Sequence, residues 1–308
     1  MAVNPINSDI EHVISKREAD TGVSTGIGDL DKVIHGLCPA KLYTVAGFSG
    51  IGKTSFLSDL ILSAAKEVPA VFYSLDMPVE EVQARMLANL AGINYHRWMS
   101  GNNDSGDEKA LQKAAKTIRE LNPISMDLDA YSVYKPYFLR EPDLEVQRAS
   151  IELSINEHYE QGYRAVFVDH VQKVVWSGKD AGLAENLKTI TDVFKKMAVK
   201  YNIPIVLLAQ MTKDMASIAT NRRDPTPLMS DIYGSVFIQA NSDVVLLLHR
   251  PEHFKQHKDS MEDMLFANRV ENDAKIVVGK MRSGPGPCID VDFHAFAMSW
   301  KNKIDGGI

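Results

Sequence analysis

Residues 47–54 are Gly-Phe-Ser-Gly-Ile-Gly-Lys-Thr and match the pattern G-x-x-x-x-G-K-[ST] at every fixed position. An apolar run, Leu42–Ala46, precedes this stretch, and a helical pattern, Lys53–Ala65, follows it. Strand, glycine loop and helix in that order place backbone N–H groups and a helix N-terminus around a phosphate. The sequence therefore predicts a site for a nucleoside triphosphate.

Two side chains of this loop have predicted chemical roles. Lys53 is expected to reach the β- and γ-phosphates, and the Thr54 hydroxyl is expected to bind Mg²⁺. The other predicted contacts to the nucleotide come from the backbone and small side chains of Gly47, Ser49, Gly50, Ile51, Gly52 and Ser55.

Two carboxylates follow candidate strands that should end at the same edge of a sheet. Asp169 ends the strand Ala165–Asp169 and is predicted to support the Mg²⁺ shell, although an Asp can also simply begin a turn. Asp76 follows the strand Ala70–Leu75 and is predicted to orient and deprotonate an attacking water. The alternative for Asp76 is a cap on the helix that begins at Val79.

Polar and basic residues after two further strands complete the candidate site. Gln210 ends an apolar strand, where a neutral amide can sense the γ-phosphate, or is merely exposed. Lys280 and Arg282 are two residues apart on an extended segment, so both cations should lie on one side of it. In a ring of subunits they could act on a neighbour's γ-phosphate as a basic finger in trans; alone, they are typical of a solvated basic turn.

The alternation of strands and helices predicts an α/β fold with a mostly parallel central sheet and helices on both faces. Several strands are continuously apolar, as strands buried on both faces should be. The last two strands flank a Gly- and Pro-rich turn, which predicts an antiparallel hairpin at the sheet edge. The predicted strands are Leu42–Ala46, Ala70–Leu75, Ile124–Met126, Ala165–Asp169, Ile205–Ala209, Val244–His249, Lys275–Gly279 and Ile289–Phe293, and the predicted helices are Lys53–Ala65, Val79–Ala91, Glu108–Leu121, Asp143–Glu160 and Ala184–Tyr201.

Composition bounds the class of protein. The 308 residues are 45% hydrophobic and 24% charged, which is ordinary for a soluble globular chain. The apolar runs are too short to span a bilayer, so no membrane partner is expected. Two cysteines suit neither a disulfide framework nor a zinc site, and a cytoplasmic setting is the default. A net charge of −6 argues against an overall basic coat for nucleic acid, but it leaves room for a local basic channel.

The remaining segments are polar. Residues 1–20 are predicted to form a short leader helix, either mobile or docked on a neighbouring subunit, and residues 304–308 a tail. Three stretches, 102–107, 212–230 and 252–272, are expected to be loops, and long loops are often functional.

In combination and order, these motifs resemble the RecA-like motor domain of the DnaB family of replicative helicases. The resemblance spans about residues 21–300, and its domain is expected over 21–303. The segments that carry it are Thr21–Asp31, the loop 47–54, Ser74–Met77, Val168–Gln172, Leu208–Gln210, Ser230–Ile232, Asp243–Val245 and Lys280–Pro285.

The resemblance implies a RecA-like P-loop NTPase that forms a hexameric ring around single-stranded DNA and moves on it by hydrolysing ATP with Mg²⁺. It implies that Asp76 is the catalytic carboxylate, Gln210 the γ-phosphate sensor, and Lys280 with Arg282 the basic finger. A primase or a helicase loader would be further partners. A motor without the family's N-terminal helical domain fits a phage or plasmid replication system, acting in the host cytoplasm.

Two departures from the family pattern bear on activity. The family has Glu at the position of Asp76, and one methylene less withdraws the carboxylate by about 1.5 Å, a displacement that can cost on the order of 100-fold in rate. This predicts either slow hydrolysis or a backbone adapted to Asp. The family's DNA-contacting Arg-Glu-Ser-Gly is replaced by residues 233–236, Tyr-Gly-Ser-Val. Tyr233 could stack on a base, and nearby charge could come from Lys213, Arg222 and Arg223.

Two other functions stay open at this point. One is a RecA-like ATP-dependent protein that binds DNA, as in recombination, without unwinding it. The other is a nucleotide-switched scaffold ATPase that binds protein. The fold alone does not choose among them, because it hosts many functions.

Overall fold

The structure, a computed structural model, describes residues 22–122, 124–126, 144–174, 183–211, 222, 224–252, 272–281, 284 and 286–303. The leader at 1–20, the tail at 304–308, Lys213, Arg223 and Arg282 lie outside the described residues, as do most of the loops 212–230 and 252–272.

The described strands form one nine-stranded sheet in the order β3-β2-β4-β5-β1-β6-β7-β8-β9. From β3 to β6 all neighbouring strands are parallel, and from β6 to β9 all are antiparallel. The strands are β1 Leu42–Gly47, β2 Ala70–Ser74, β3 Ile124–Met126, β4 Ala165–Asp169, β5 Ile205–Gln210, β6 Val244–His249, β7 Asp273–Lys280, β8 Cys288–His294 and β9 Ser299–Asn302.

Helices connect the parallel strands. Those within the described residues are α1 Gly28–Ile34, α2 Lys53–Ala64, α3 Val79–Ala91, α4 Tyr95–Met99, α5 Ser105–Glu120, α6 Leu144–Glu160, α7 Val171–Val174, α8 Leu183–Tyr201 and α9 Ser235–Asn241; a 3₁₀ turn covers Met229–Asp231. The predicted α/β class and the mostly parallel sheet are confirmed.

The sheet separates two hydrophobic cores, because successive side chains of a strand point to opposite faces. On β1, Leu42 and Ala46 belong to the core covered by α6, α8 and α9, whereas Tyr43 and Val45 belong to the core covered by α1, α2 and α3. The central strands are buried on both faces, which explains why their sequences are continuously apolar.

The C-terminal strands extend the predicted hairpin. β7 and β8 pair antiparallel as expected, and β9 adds a third strand beyond them. In contrast, the expected loop at 102–107 is shorter than predicted, because α5 already begins at Ser105. The Asp104 side chain accepts hydrogen bonds from Gly106 N–H and Asp107 N–H, and this cap starts the helix early.

Strand β9 braces the helix that follows the phosphate-loop motif. Trp300 is buried, and its backbone N–H donates to the Asp59 carboxylate on α2 at 2.7 Å. Asn89 on α3 donates to the same carboxylate at 2.7 Å. The Trp300 indole N–H donates to the carbonyl of Gly52 at 3.1 Å, and its ring packs edge-on against Phe56. An edge strand therefore holds α2 at its start and along its length.

The brace predicts a stability effect. Trp300→Ala should lower the free energy of unfolding by about 3–5 kcal/mol, because it removes a fully buried aromatic side chain and leaves a cavity. Chemical denaturation would measure the change. Lys303→Ala, which removes the exposed ion pair with Asp273, is the control and should cost at most about 1 kcal/mol. A near-neutral Trp300→Ala would contradict the bracing role.

Candidate active site

The candidate catalytic residues meet at one rim of the sheet. The parallel strands β1, β2, β4 and β5 all end there, so that Gly47 is opposite Gln210 and Ser74 is opposite Asp169 in the strand register. Asp76 follows two residues after Ser74. Ligands of open α/β sheets bind at this edge, outside the carboxyl ends of the strands.

The loop 47–54 has the conformation that its glycines predict. Gly50 and Gly52 adopt φ values of 76° and 96°, which L side chains rarely adopt. A Cβ atom on Gly52 would also come within 3.0 Å of the Phe293 ring. Gly52 is the N-cap of α2 and brings no capping side chain, so no N-cap side chain competes with an anion for the first N–H groups of the helix.

Lys53 lies across the loop. Its ammonium donates to the carbonyl of Phe48 at 2.9 Å. Burial lowers the pKa of Lys53 below its ordinary value, while the carboxylates of Asp169 and Asp76 act in the opposite direction. Phosphate oxygens would add negative charge beside this ammonium, so ligand binding and the charged form of Lys53 should favour one another.

Thr54 and Asp169 form the predicted metal-binding pair. The Thr54 hydroxyl donates to Asp169 Oδ2 at 2.8 Å, and Asp169 is 4% exposed. Both are hard oxygen ligands of the kind that Mg²⁺ prefers, and Mg²⁺ in such sites takes most of its shell from phosphates and water. Among the described residues no group of three His, Cys, Asp or Glu side chains could hold a metal alone. The pair therefore fits Mg²⁺ shared with a bound triphosphate.

Asp76 points to the same cleft and contacts a cation. Its Oδ1 lies 3.2 Å from the Lys173 ammonium, and its Oδ2 lies 4.0 Å from Nδ1 of His170. The structure does not give Asp76 the alternative role of helix cap, because Pro78 is the N-cap of α3 and no side chain caps it.

Gln210 is fixed through its backbone at the end of β5. The Gln172 side chain accepts from Gln210 N–H at 3.1 Å and donates to the Gln210 carbonyl at 3.2 Å. Tyr233 N–H donates to the same carbonyl at 3.1 Å, and Met211 forms a β-bridge with Ile232. The first and last residues of the segment between β5 and Tyr233 are thus paired with each other, directly beside the predicted sensor Gln210.

These residues line one open cleft of about 470 Å³. It brings together the predicted Ser49, Gly50, Gly52, Lys53, Thr54, Ser55, Asp76, Asp169 and Gln210, whereas Gly47 and Ile51 are buried and do not line it. No role was predicted from the sequence for the further lining residues, which are Arg85, His96, His170, Arg250, Phe293, Ala295 and Met298.

Among these further lining residues, Arg250 is the one whose position in the sequence indicates a place at the site. It directly follows β6 and therefore lies at the same rim as the other strand ends. Its guanidinium lies 3.9 Å from the centroid of the Phe293 ring and pairs with Glu252. Burial lowers the pKa of Arg250, and Glu252 opposes this shift.

Lys280 lies at the opposite edge of the sheet. β7 runs antiparallel to β6, so Lys280 is opposite Val245, at the beginning of β6. Its ammonium donates to the carbonyls of Gln239 and, at 2.7 Å, Ser242, where a cation complements the C-terminal end of α9. Lys280 is therefore remote from the phosphate loop of its own chain, and its role as a finger stays a prediction, as does that of Arg282.

Among the residues predicted to contact nucleic acid, Arg222 has an intramolecular partner. It forms a bidentate ion pair with Asp231, with distances of 2.7 and 2.5 Å, and Asp231 is fully buried. Tyr233 is half-buried and packs against the core beneath α8 and α9. Contact with nucleic acid stays a prediction for these residues and for Lys213 and Arg223.

Comparison with known families agrees with this geometry. The family described as DnaB-like helicase C terminal domain matches residues 22–302. The chain belongs to this family. The match contains every strand of the sheet and the whole rim on which the candidate site is built.

Curated relatives carry the same family name over a longer chain. The replicative DNA helicase DnaB of Haemophilus influenzae is 28% identical over 291 residues, which cover 92% of this chain and 57% of the relative. That of Buchnera aphidicola is 25% identical over 276 residues, which cover 89% of this chain and 54% of the relative. The chain thus spans little more than half the length of these relatives.

Solved structures share the fold. One of them, an ATPase domain, has a TM-score of 0.78 at 19% identity, and the alignment covers 98% of this chain and 100% of that one. A DnaB-like replicative helicase, described together with its interactions with primase, has a TM-score of 0.76 at 19% identity, with coverage of 98% and 68%. At this identity the likeness shows the fold alone.

None of the helices in the part of the chain that the structure describes combines the length and the apolar character that crossing a bilayer requires.

Two roles of Arg222, in stability through its pair with Asp231 or in contact with DNA, predict different results when it is replaced. Arg222→Ala should lower the free energy of unfolding by about 1–3 kcal/mol, because it leaves the buried Asp231 carboxylate without its cation. Adding Asp231→Asn should recover part of this loss, which denaturation of the single and double variants would measure. If Arg222 instead binds a DNA phosphate, Arg222→Ala would leave stability unchanged, and it would weaken DNA binding and make its salt dependence shallower.

Proposed function

We propose that this chain is an ATP-hydrolysing motor that forms a ring and translocates on single-stranded DNA as a replicative helicase. The observation that carries the proposal is the convergence of Lys53, Thr54, Asp169, Asp76 and Gln210 on one cleft. Family membership supports the same interpretation, since the curated relatives are named replicative DNA helicases.

The arrangement suits hydrolysis of a γ-phosphate. A water held by Asp76 would attack phosphorus in line with the bond to the leaving ADP oxygen, and Asp76 would accept the water proton as that bond breaks. Lys53 would offset negative charge on the β- and γ-phosphates. Gln210 would contact the γ-phosphate. Loss of the γ-phosphate on hydrolysis would then be transmitted through Gln210 to the segment that follows β5.

Mg²⁺ is the metal that the pair of Thr54 and Asp169 fits. When bound, it would neutralise charge on the β- and γ-phosphates, with these two residues holding its shell. The hydrogen bond between them keeps the hydroxyl oriented toward the carboxylate.

The ring and its partners are the wider part of the proposal. Arg282 would act on a neighbouring subunit's nucleotide, with Lys280 beside it, because Lys280 lies at the edge of the sheet remote from its own phosphate loop. Single-stranded DNA would pass near the segment that begins after Gln210. We further propose action in the cytoplasm, with a primase or a helicase loader as protein partners.

Two observations favour a second candidate, a nucleotide-switched scaffold ATPase that binds protein instead of DNA. The charge of Arg222 is already neutralised by Asp231, and the chain carries a net charge of −6. Both reduce the positive charge available for DNA phosphates.

ATP hydrolysis with and without single-stranded DNA, at two protein concentrations, tests the motor. We expect DNA to stimulate turnover, and turnover per subunit to rise with protein concentration, because a finger in trans requires assembled neighbours. Lys53→Ala should abolish turnover. Slow hydrolysis that ignores both DNA and concentration would contradict the helicase hypothesis and favour the second candidate.

The catalytic carboxylate is tested by one substitution. Asp76→Asn should lower kcat about 100-fold, because it removes the group that accepts the water proton, and should leave nucleotide affinity nearly unchanged. Glu80→Gln, an exposed carboxylate on the first turn of α3, is the matched control and should leave kcat unchanged. Equal rates for Asp76→Asn and wild type would exclude Asp76 as the base.

A further inference from the structure

The one-turn helix α7 links the ends of three adjacent strands. It begins two residues after β4, and β4 lies between β2 and β5 in the sheet. Two consecutive side chains of α7 extend to either side. Gln172 reaches the end of β5, and Lys173 reaches the carboxylate that follows β2.

The contact with β5 anchors α7. Gln172 uses both ends of its amide, accepting from the N–H of Gln210 and donating to its carbonyl, at 3.1 and 3.2 Å. Val171 and Val174 are buried in the core below, so that the turn is held from two sides. Lys173 therefore extends from a helical turn that is held in place.

The contact with Asp76 restrains a carboxylate that lies outside regular structure. β2 ends at Ser74, and Asp76 follows it in a bend. Lys173 Nζ lies 3.2 Å from Asp76 Oδ1, whereas the His170 ring is farther from Oδ2, with Nδ1 at 4.0 Å. The side chains are 51% and 44% exposed, so the pair adds little to folding stability. Its effect is on the position of the carboxylate.

We propose that Lys173 is a positioning residue for hydrolysis, which fixes the Asp76 carboxylate toward the cleft from the anchored turn α7. This inference rests on the proposed function, because Lys173 can orient the general base only if Asp76 is that base. It also gives a physical account of how Asp76 can serve where the family pattern has the longer Glu. A carboxylate on Asp has less reach than one on Glu, and a cation at 3.2 Å limits the positions that it samples.

A double-mutant cycle with Lys173→Ala, Asp76→Asn and the combined variant tests this role. Lys173→Ala should lower kcat about tenfold in the wild-type background, since catalysis is sensitive to displacements of about 1 Å, with KM for ATP nearly unchanged. In the Asp76→Asn background, Lys173→Ala should have no further effect, because the group that it positions is gone. Lys173→Arg, which retains the cation, should restore most of the rate.

Lys196→Ala is the matched control, since Lys196 is also exposed and paired with a carboxylate, Asp192, but lies on α8. It should leave kcat unchanged. An equal loss from Lys173→Ala in both backgrounds, or no loss in either, would overturn the positioning role while leaving the motor function intact. A wild-type protein that does not hydrolyse ATP would overturn both.

Discussion

The common direction of the strands from β3 to β6 is the constraint on which the rest of the site depends. Because these strands are parallel, every carboxyl end reaches the same rim, and residues far apart in sequence meet there. Thr54 and Asp169, which are 115 positions apart, approach to 2.8 Å for this reason. The same constraint buries each central strand on both faces, so that the chain must supply two cores and helices to cover them.

Much of the arrangement of the site was predictable from the sequence, because the last residues of parallel strands must lie at one rim of the sheet. Buried apolar runs indicated the strands, and their last residues indicated the rim, which placed Asp169 and Gln210 correctly beside the phosphate loop. Arg250 directly follows β6, so the same rule also points to it. Lys173 was not predictable, because its contact with Asp76 depends on how one helical turn is oriented between two strands.

Charge was the least predictable property of the site. Arg222 was interpreted from the sequence as a source of charge for DNA, yet the structure pairs it with the buried Asp231. Lys280 likewise donates to carbonyls at the end of α9. Sequence shows that a cation is present but not whether a neighbour has already neutralised it, since partners 9 or 38 positions away are set by packing.

The hydrogen bond from Trp300 to Gly52 joins positions 248 residues apart. During synthesis, the glycine loop leaves the ribosome long before the strand that supports it. The hydrogen bond on the Gly52 carbonyl can therefore form only after almost the whole domain has been translated, and a chain that ends before β9 would lack this support of the phosphate loop.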